Sequence, residues 1–175
     1  MRAVTDEFMT KATWHFQSKV EVSASAEQVF SILTDDTAWK HWHPEVSNIQ
    51  WLTPEPRAPG TMRTVKFTHP ILKFLLFGPV ILTEYFFRWD EGRRVSFYLD
   101  KTNRPRFLVF RACMEDYRCI PLDEKRCEYV RDIYVEPSLL IWLLGFMMKP
   151  IFSSMVERTT LAMALYALKR FNQNN

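Results

Sequence analysis

The sequence predicts an α+β fold in which a curved antiparallel sheet of about six or seven strands wraps around a long C-terminal helix. Residues 14–23 alternate between apolar and polar side chains, the pattern of a half-buried strand. Residues 46–135 contain further strand candidates at a spacing of about ten residues, as in an antiparallel meander. Residues 138–171 are rich in Leu, Met, Ala, Glu and Lys without strand alternation. Because a curved sheet does not cover its own concave face, we expect this helix to lie across it.

The N-terminal part is predicted to contain one strand and two short helices. We expect residues 1–12 to form a loose arm of a single domain that comprises the whole 175-residue chain. After the strand, Ser25 and Gln28 have the spacing of a capping box, which opens a helix. Residues 37–43 then form a second short helical turn, which Pro44 ends.

The remaining elements are predicted from alternation and from turn residues rich in Pro, Gly and Asp. The strand candidates are residues 46–52, 61–68, 80–89, 93–99, 107–120 and 126–135. In the C-terminal helix, Phe152, Val156 and Met163 belong to one apolar stripe. Pro150 either kinks this helix or starts a second one at its first turn.

The composition argues against several classes of function. The chain has only 4 glycines, too scattered to form the phosphate-binding loop of a nucleotide-dependent enzyme. A net charge of +3 is too small to indicate nucleic-acid binding. We therefore expect no nucleic-acid partner and no cofactor. In contrast, aromatic residues make up 15% of the chain, which is more ring surface than a core of this size needs.

The cysteine count and the N-terminus bear on the compartment. An odd number of cysteines, 3, without paired spacing favours a reducing environment. The N-terminus lacks the apolar segment of a secretory signal. Both features predict a cytoplasmic protein.

Two apolar runs, residues 71–82 and 138–148, qualify this expectation. Each is shorter than the roughly 20 residues that a helix needs to cross a bilayer. Either run is compatible with a lid or with transient membrane contact, which would make the protein peripheral to a membrane. For residues 138–148, simple packing against the sheet is the favoured interpretation.

Residues 20–46 contain a small helix cap, an apolar pair, an Asp that ends the helix, and two Trp three residues apart before a Pro. These residues are Ser25, Glu27, Val29, Phe30, Asp35, Trp39, Trp42 and Pro44. The stretch resembles the opening of the SRPBCC superfamily, which includes START-like lipid carriers, birch-pollen-allergen-like proteins and polyketide cyclase/dehydrase-like proteins. Residues 89–97 resemble the superfamily's turn between middle strands. The resemblance implies a helix-grip fold with a deep apolar pocket between the sheet and the C-terminal helix. Residues 69–79 depart from the superfamily pattern and are interpreted as an insertion.

Candidate pocket residues follow from this expected architecture. Pockets of this kind are mostly apolar and contain few convergent polar groups. Arg158, with Glu84 and Tyr85, is a candidate to orient a carboxylate, hydroxyl or carbonyl of the ligand. The expected lining residues are Trp39, Trp42, Phe67, Glu84, Tyr85, Phe97, Phe110, Arg111, Met155 and Arg158.

The charged residues of the last two strands are expected to form cross-strand ion pairs, mostly on the convex face. A charge that faces inward would need a partner, since an unpaired buried charge is very costly. These residues are Arg111, Glu115, Asp116, Arg118, Arg131 and Asp132.

The sequence contains no specific catalytic or metal-binding motif. His41 and His43 are two residues apart on a helical turn and therefore face away from each other. No Cys or carboxylate follows them at ligand spacing, so we interpret them as a solvated helix end and predict no metal site. Catalytic residues cannot be assigned from the sequence.

The leading functional hypothesis is binding or transfer of a hydrophobic small molecule: a lipid, an isoprenoid quinone or a polyketide-like compound. One alternative is a cyclase or dehydratase acting on an aromatic or polyketide substrate. A second alternative is a protein-interaction or membrane-docking module. An enzyme would need a buried set of pKa-shifted groups directed at one point. The shortage of His residues in strands and in the long helix favours a non-enzymatic carrier.

Overall fold

A computed structural model describes residues 6–68, 78–104 and 110–172 of the chain. These residues form seven strands and five helices. In chain order, the elements are α1 (Asp6–Lys11), β1 (Trp14–Val22), α2 (Ala26–Thr34), α3 (Asp36–Trp42), β2 (Val46–Trp51), β3 (Met62–Phe67), β4 (Val80–Asp90), β5 (Arg94–Thr102), β6 (Phe110–Pro121), β7 (Cys127–Pro137), α4 (Leu139–Leu143) and α5 (Gly145–Asn172).

The strands form one antiparallel sheet in the order β1-β7-β6-β5-β4-β3-β2. Consecutive strands from β2 to β7 are neighbours, and β1 closes the free edge of β7, with Trp14 opposite Val135. The capping box of α2 is present, since Ser25 accepts a bond from the Gln28 amide at 3.3 Å. The predicted curved sheet, long C-terminal helix and two short helices after the first strand are confirmed.

The long helix α5 packs mainly along β1, with further contacts to β7 and α3. The break in the C-terminal helical segment falls at Leu144, between α4 and α5, and Pro150 lies inside α5. Gly145 permits a close approach at this junction, because a Cβ there would lie 3.2 Å from the Trp14 ring. Part of the predicted insertion and apolar run, residues 69–77, lies outside the described residues.

The convex face of the sheet carries a small apolar cluster of its own. Phe8 and Met9 of α1 pack there against the buried side chains of Ala112 and Met114. Asp6 adds an ion pair to Arg88 of β4 at 2.8 Å. The segment that we expected to lie within a loose arm therefore contains a helix docked on the sheet.

Candidate functional site

The interior between the sheet and α5 consists of two apolar clusters. The first cluster is formed by α2, α3 and the half of the sheet that they cover, and it contains Trp39, Phe86 and Phe97. The second lies toward α4 and contains Leu99 and Val135. The gap bordered by side chains of the first cluster leaves no room for a water molecule, so this half of the interior is filled.

A layer of polar side chains separates the two clusters. Because every second residue of a strand faces the same side, the inward positions of a strand can be followed in order. On β4, Glu84 lies between Leu82 of the second cluster and Phe86 of the first. On β6, Glu115 has the same position between Cys113 and Tyr117. We call this set the polar layer; its members are Glu84, Glu115, Arg131 and Thr159.

Hydrogen bonds link three members of the polar layer to one another. Arg131 of β7 donates to the Glu115 carboxylate at 2.8 and 3.2 Å and to the Thr159 hydroxyl of α5 at 2.5 Å. The Tyr117 hydroxyl donates to the same carboxylate at 2.6 Å. These bonds tie the sheet to the long helix through buried groups and leave the charge of Arg131 compensated.

A second buried ion pair satisfies Glu84. The Arg63 guanidinium of β3 donates to its carboxylate at 2.6 Å and lies 4.5 Å from the Trp39 ring centre. Burial nevertheless raises the pKa of Glu84 and outweighs the attraction of Arg63. At Glu115 burial also raises the pKa, but Arg131 and Tyr117 together bring it below its usual range. The two interior carboxyls are therefore shifted in opposite directions.

His43, Glu45 and Arg158 form a third group next to the polar layer. His43 is buried and stacks on Trp39, and its Nδ1 lies 3.2 Å from the Glu45 carboxylate. Contact with His43 lowers the pKa of Glu45 to about 2, assisted by Arg158, which bonds the same carboxylate from α5. Burial lowers the pKa of His43 itself. The expected solvated helix end is thus wrong for His43, because the chain turns at Pro44 and places the imidazole under β3.

The second cluster is not fully buried. Several of its large apolar side chains are only half-buried, although they lie between the sheet and α5. Phe110 contacts Phe152 of α5 with ring centres 5.4 Å apart. Other half-buried members are Leu82 and Met155. Accessible apolar surface in this position is what a ligand would cover.

Eight of the ten predicted lining residues lie on or beside the interior. Trp39, Trp42 and Phe97 are buried in the filled first cluster. Phe67 is half-buried at its edge, where it meets the His43 ring edge-on at 5.5 Å. The other four belong to the groups already described: Glu84, Phe110, Met155 and Arg158.

The prediction is wrong for the remaining two residues. Tyr85 stacks on Tyr98 of the convex face at 5.1 Å, and Arg111 is 67% exposed near Glu136. Each had been predicted together with its inward-facing neighbour, Glu84 or Phe110. Adjacent residues of a strand face opposite sides, so only one of each pair can line the interior.

The charged residues of β6 and β7 divide between the two faces. The predicted convex ion pairs are confirmed for Asp116, which binds Arg94 at 2.7 and 2.9 Å, and for Asp132, which binds Arg118 at 2.5 Å. Glu115 and Arg131 face inward instead, and they pair with each other there, as an inward-facing charge was expected to require.

Sequence reasoning did not single out Glu45, Arg63 or Thr159. The alternation along β3 could have revealed Arg63, since it shares its face with the buried Val65. Glu45 and Thr159 carry no such signal, because Glu45 lies between elements and a Thr in a helix is ordinarily neutral.

Three further observations concern chemistry and membranes. Cys113, Cys119 and Cys127 are free and buried, and burial raises the pKa of each thiol. Within the described ranges, no group of three or more His, Cys, Asp or Glu side chains is placed to hold a metal ion. None of the described helices is both long and apolar enough to span a bilayer.

The curved antiparallel sheet closed by a long C-terminal helix defines the helix-grip fold. Residues 13–170 match the family described as "Polyketide cyclase / dehydrase and lipid transport". The protein belongs to this family.

The chain is also similar to several known proteins. An uncharacterised protein of Mycobacterium tuberculosis is 28% identical over 111 residues, which cover 63% of this chain and 59% of that protein. The chain thus spans less than two thirds of the length of the curated relatives it matches. A START superfamily protein from Mycobacterium smegmatis has a TM-score of 0.64 at 18% identity, covering 92% of this chain and 99% of the other. The Zhui aromatase/cyclase from Streptomyces sp. R1128 has a TM-score of 0.64 at 16% identity, covering 92% and 94%. At these identities the two structures show the shared fold alone.

Proposed function

We propose that the protein binds or transfers a hydrophobic small molecule, of the lipid, isoprenoid quinone or polyketide-like kind, at the second apolar cluster, between the sheet and α5. The observation that carries this proposal is the half-buried state of Leu82, Phe110, Phe152 and Met155 on the concave face. Burying apolar surface stabilises a complex by about 25 cal/mol per Å². The family's description, which includes lipid transport, supports the same class of ligand.

The polar layer supplies an end wall for such a ligand. Beyond it the first cluster is filled, so the ligand would lie on the α4 side of the layer. Arg158 lies at the edge of this wall with its side chain 57% exposed, which leaves it accessible to a carbonyl or carboxylate oxygen. The three free, buried thiols are consistent with function in a reducing compartment such as the cytoplasm.

Displacement of a fluorescent fatty acid, followed together with native mass spectrometry, tests this proposal. Replacement of Met155 by Trp is expected to weaken probe binding about tenfold or more, because the indole occupies the space the ligand would fill. Leu165→Trp is the matched control, since Leu165 is exposed on the outside of the same helix. Absence of probe binding to the wild type, or equal effects of both substitutions, would refute the proposal.

A second candidate function is cyclisation or dehydration of a polyketide-like substrate. The specific observation in its favour is the set of buried ionisable groups around Glu84 and Glu115, whose pKa values are shifted in opposite directions. When the pKa values of two carboxyl groups are moved apart in this way, one can act as a general acid and the other as a general base. Against it, Glu84 and Glu115 are already paired with Arg63 and Arg131, so they need no substrate to be satisfied.

Mass spectrometry of a synthetic poly-β-ketone thioester, incubated with the purified protein, separates the two functions. An enzyme is expected to form a cyclised or dehydrated product, and Glu84→Gln should slow this by about a hundredfold. Glu136→Gln, at the sheet surface beside Arg111, is the control. If the wild type binds the compound and leaves it unchanged, the carrier function stands and the enzyme hypothesis fails.

A further inference from the structure

Helix α4 and the first turn of α5 expose an unusual amount of apolar side chain. Phe146 is 77% exposed and Trp142 is 56% exposed. We call this surface the apolar tip; its members are Leu139, Leu140, Trp142, Leu143, Leu144, Phe146 and Met147. The expectation that residues 138–148 simply pack against the sheet is therefore wrong for most of the segment.

The apolar tip is held in place by a few inward-facing residues. Ile141 and Met148 are buried in the second cluster, and Gly145 lies against the Trp14 ring. Ser138 caps α4 by accepting a bond from the Ile141 amide at 3.3 Å. Because these residues anchor the segment to the rest of the protein, the folded structure itself holds the apolar side chains of the tip in an exposed position.

The shape of the apolar tip favours a fluid partner. In α4 only Ile141 is buried, and the other four residues of the helix are exposed and apolar, so its exposed side contains no polar residue. A helix that docks on another protein usually presents one apolar stripe and keeps a polar face toward solvent. A short helix whose whole exposed side is apolar instead suits insertion into the boundary of a lipid bilayer, which covers all of that side.

The charges around the apolar tip point to the kind of lipid. Between Glu136 and Glu157 the chain contains no acidic residue, and its only charge is Lys149, which is exposed. A cation beside an apolar segment is attracted to anionic headgroups, and no carboxylate of the segment opposes this. Trp142 adds an aromatic side chain of the type enriched at the membrane–water interface.

We propose that the apolar tip docks the protein reversibly on the surface of an anionic lipid bilayer. Phe152, on the side of α5 that faces the sheet, lies less than two turns after Phe146. Docking would therefore bring the half-buried second cluster close to the membrane. The proposal that the apolar tip docks on a membrane does not depend on the proposed ligand. The further step, that docking serves to deliver or extract a lipid, rests on the proposed function.

Vesicle flotation of the full chain tests the proposal. The wild type is expected to float with vesicles of phosphatidylcholine containing about 30% phosphatidylglycerol and much less with phosphatidylcholine alone. The double substitution Leu143→Glu/Phe146→Glu should reduce the bound fraction about tenfold or more. The double substitution Leu161→Glu/Leu165→Glu is the matched control, because these leucines are exposed elsewhere on α5. Circular dichroism checks that both variants are folded.

Three results would overturn the proposal. The first is a wild type that stays in solution with both vesicle compositions. The second is equal loss of flotation in both double variants. The third is a wild-type dimer in solution that the Leu143→Glu/Phe146→Glu substitutions convert to a monomer, which would make the apolar tip an interface between two copies. Fatty-acid displacement without vesicles, which the substitutions at the tip should leave unchanged, reports separately on the proposed ligand binding.

Discussion

Replacement of Arg131 by Met is predicted to destabilise the fold strongly. The Arg131 guanidinium is buried and makes bonds to Glu115 and Thr159. Methionine fills a similar volume but leaves the Glu115 carboxylate with the Tyr117 hydroxyl as its remaining side-chain partner. Removing one member of a buried pair costs about 3–5 kcal/mol, since the other charge stays buried without compensation.

The loss should depend on pH in a defined direction. In the wild type the folded-state pKa of Glu115 is lowered, because Arg131 and Tyr117 outweigh burial, so this stabilisation is lost as pH falls through the carboxyl range. In Arg131→Met, burial predominates and raises that pKa, which makes the variant relatively more stable at low pH. The difference in unfolding free energy between the two proteins should therefore shrink as pH falls below about 5.

Urea unfolding followed by far-UV circular dichroism measures these values. For an m-value of about 2 kcal/mol per M, a loss of 4 kcal/mol lowers the midpoint by about 2 M. The double variant Arg131→Met/Glu115→Leu should recover most of the loss, since it removes both charges. Arg126→Met, at an exposed ion pair with Glu21, is the control and should leave the unfolding midpoint close to that of the wild type. A loss below about 1 kcal/mol for Arg131→Met, or a double variant no more stable than the single, would refute the reasoning.

Three further predictions concern other parts of the structure. Glu45→Gln should reduce the free energy of unfolding above pH 5. The difference from wild type should disappear as pH falls toward about 2, because the folded-state pKa of Glu45 is lowered to about that value; urea unfolding across pH 2–7 measures this. Gly145→Val should cost about 1–3 kcal/mol, since its Cβ would lie 3.2 Å from the Trp14 ring; a melting temperature equal to wild type would contradict it. Ser25→Ala should cost about 1 kcal/mol through loss of the helix cap, whereas Ser25→Asp, which retains an acceptor, should cost less in the same thermal melts.

Most of the fold was predictable from the sequence because its elements are specified by local patterns. The alternation from Trp14 to Val22 and the capping box at Ser25 depend on neighbouring residues alone, and both are present as predicted. The ends of β6 and β7 also agree closely with the prediction, because Pro121 and Pro137 mark them in the sequence. The predicted start of the sixth strand, at residue 107, lies outside the described residues.

The candidate site was only partly predictable. Alternation specifies which residues share a face, but it does not reveal where a bulge shifts the register, as between Phe110 and Ala112. Cross-strand pairing of the charges on β6 and β7 was expected, but the sequence does not show that the pair of Glu115 and Arg131 is one that faces inward. The same holds for His43, whose burial depends on Phe67, twenty-four positions further along the chain.

The sequence by itself determined the helix-grip architecture, the family resemblance and the apolar character of residues 138–148, because periodicity, capping and composition are local properties. Only the tertiary structure decided that the interior is divided by a polar layer around Arg131 and that Phe146 and its neighbours remain exposed. Both outcomes depend on long-range packing of the sheet against α5, which determines which apolar surfaces find a partner and which charges are compensated.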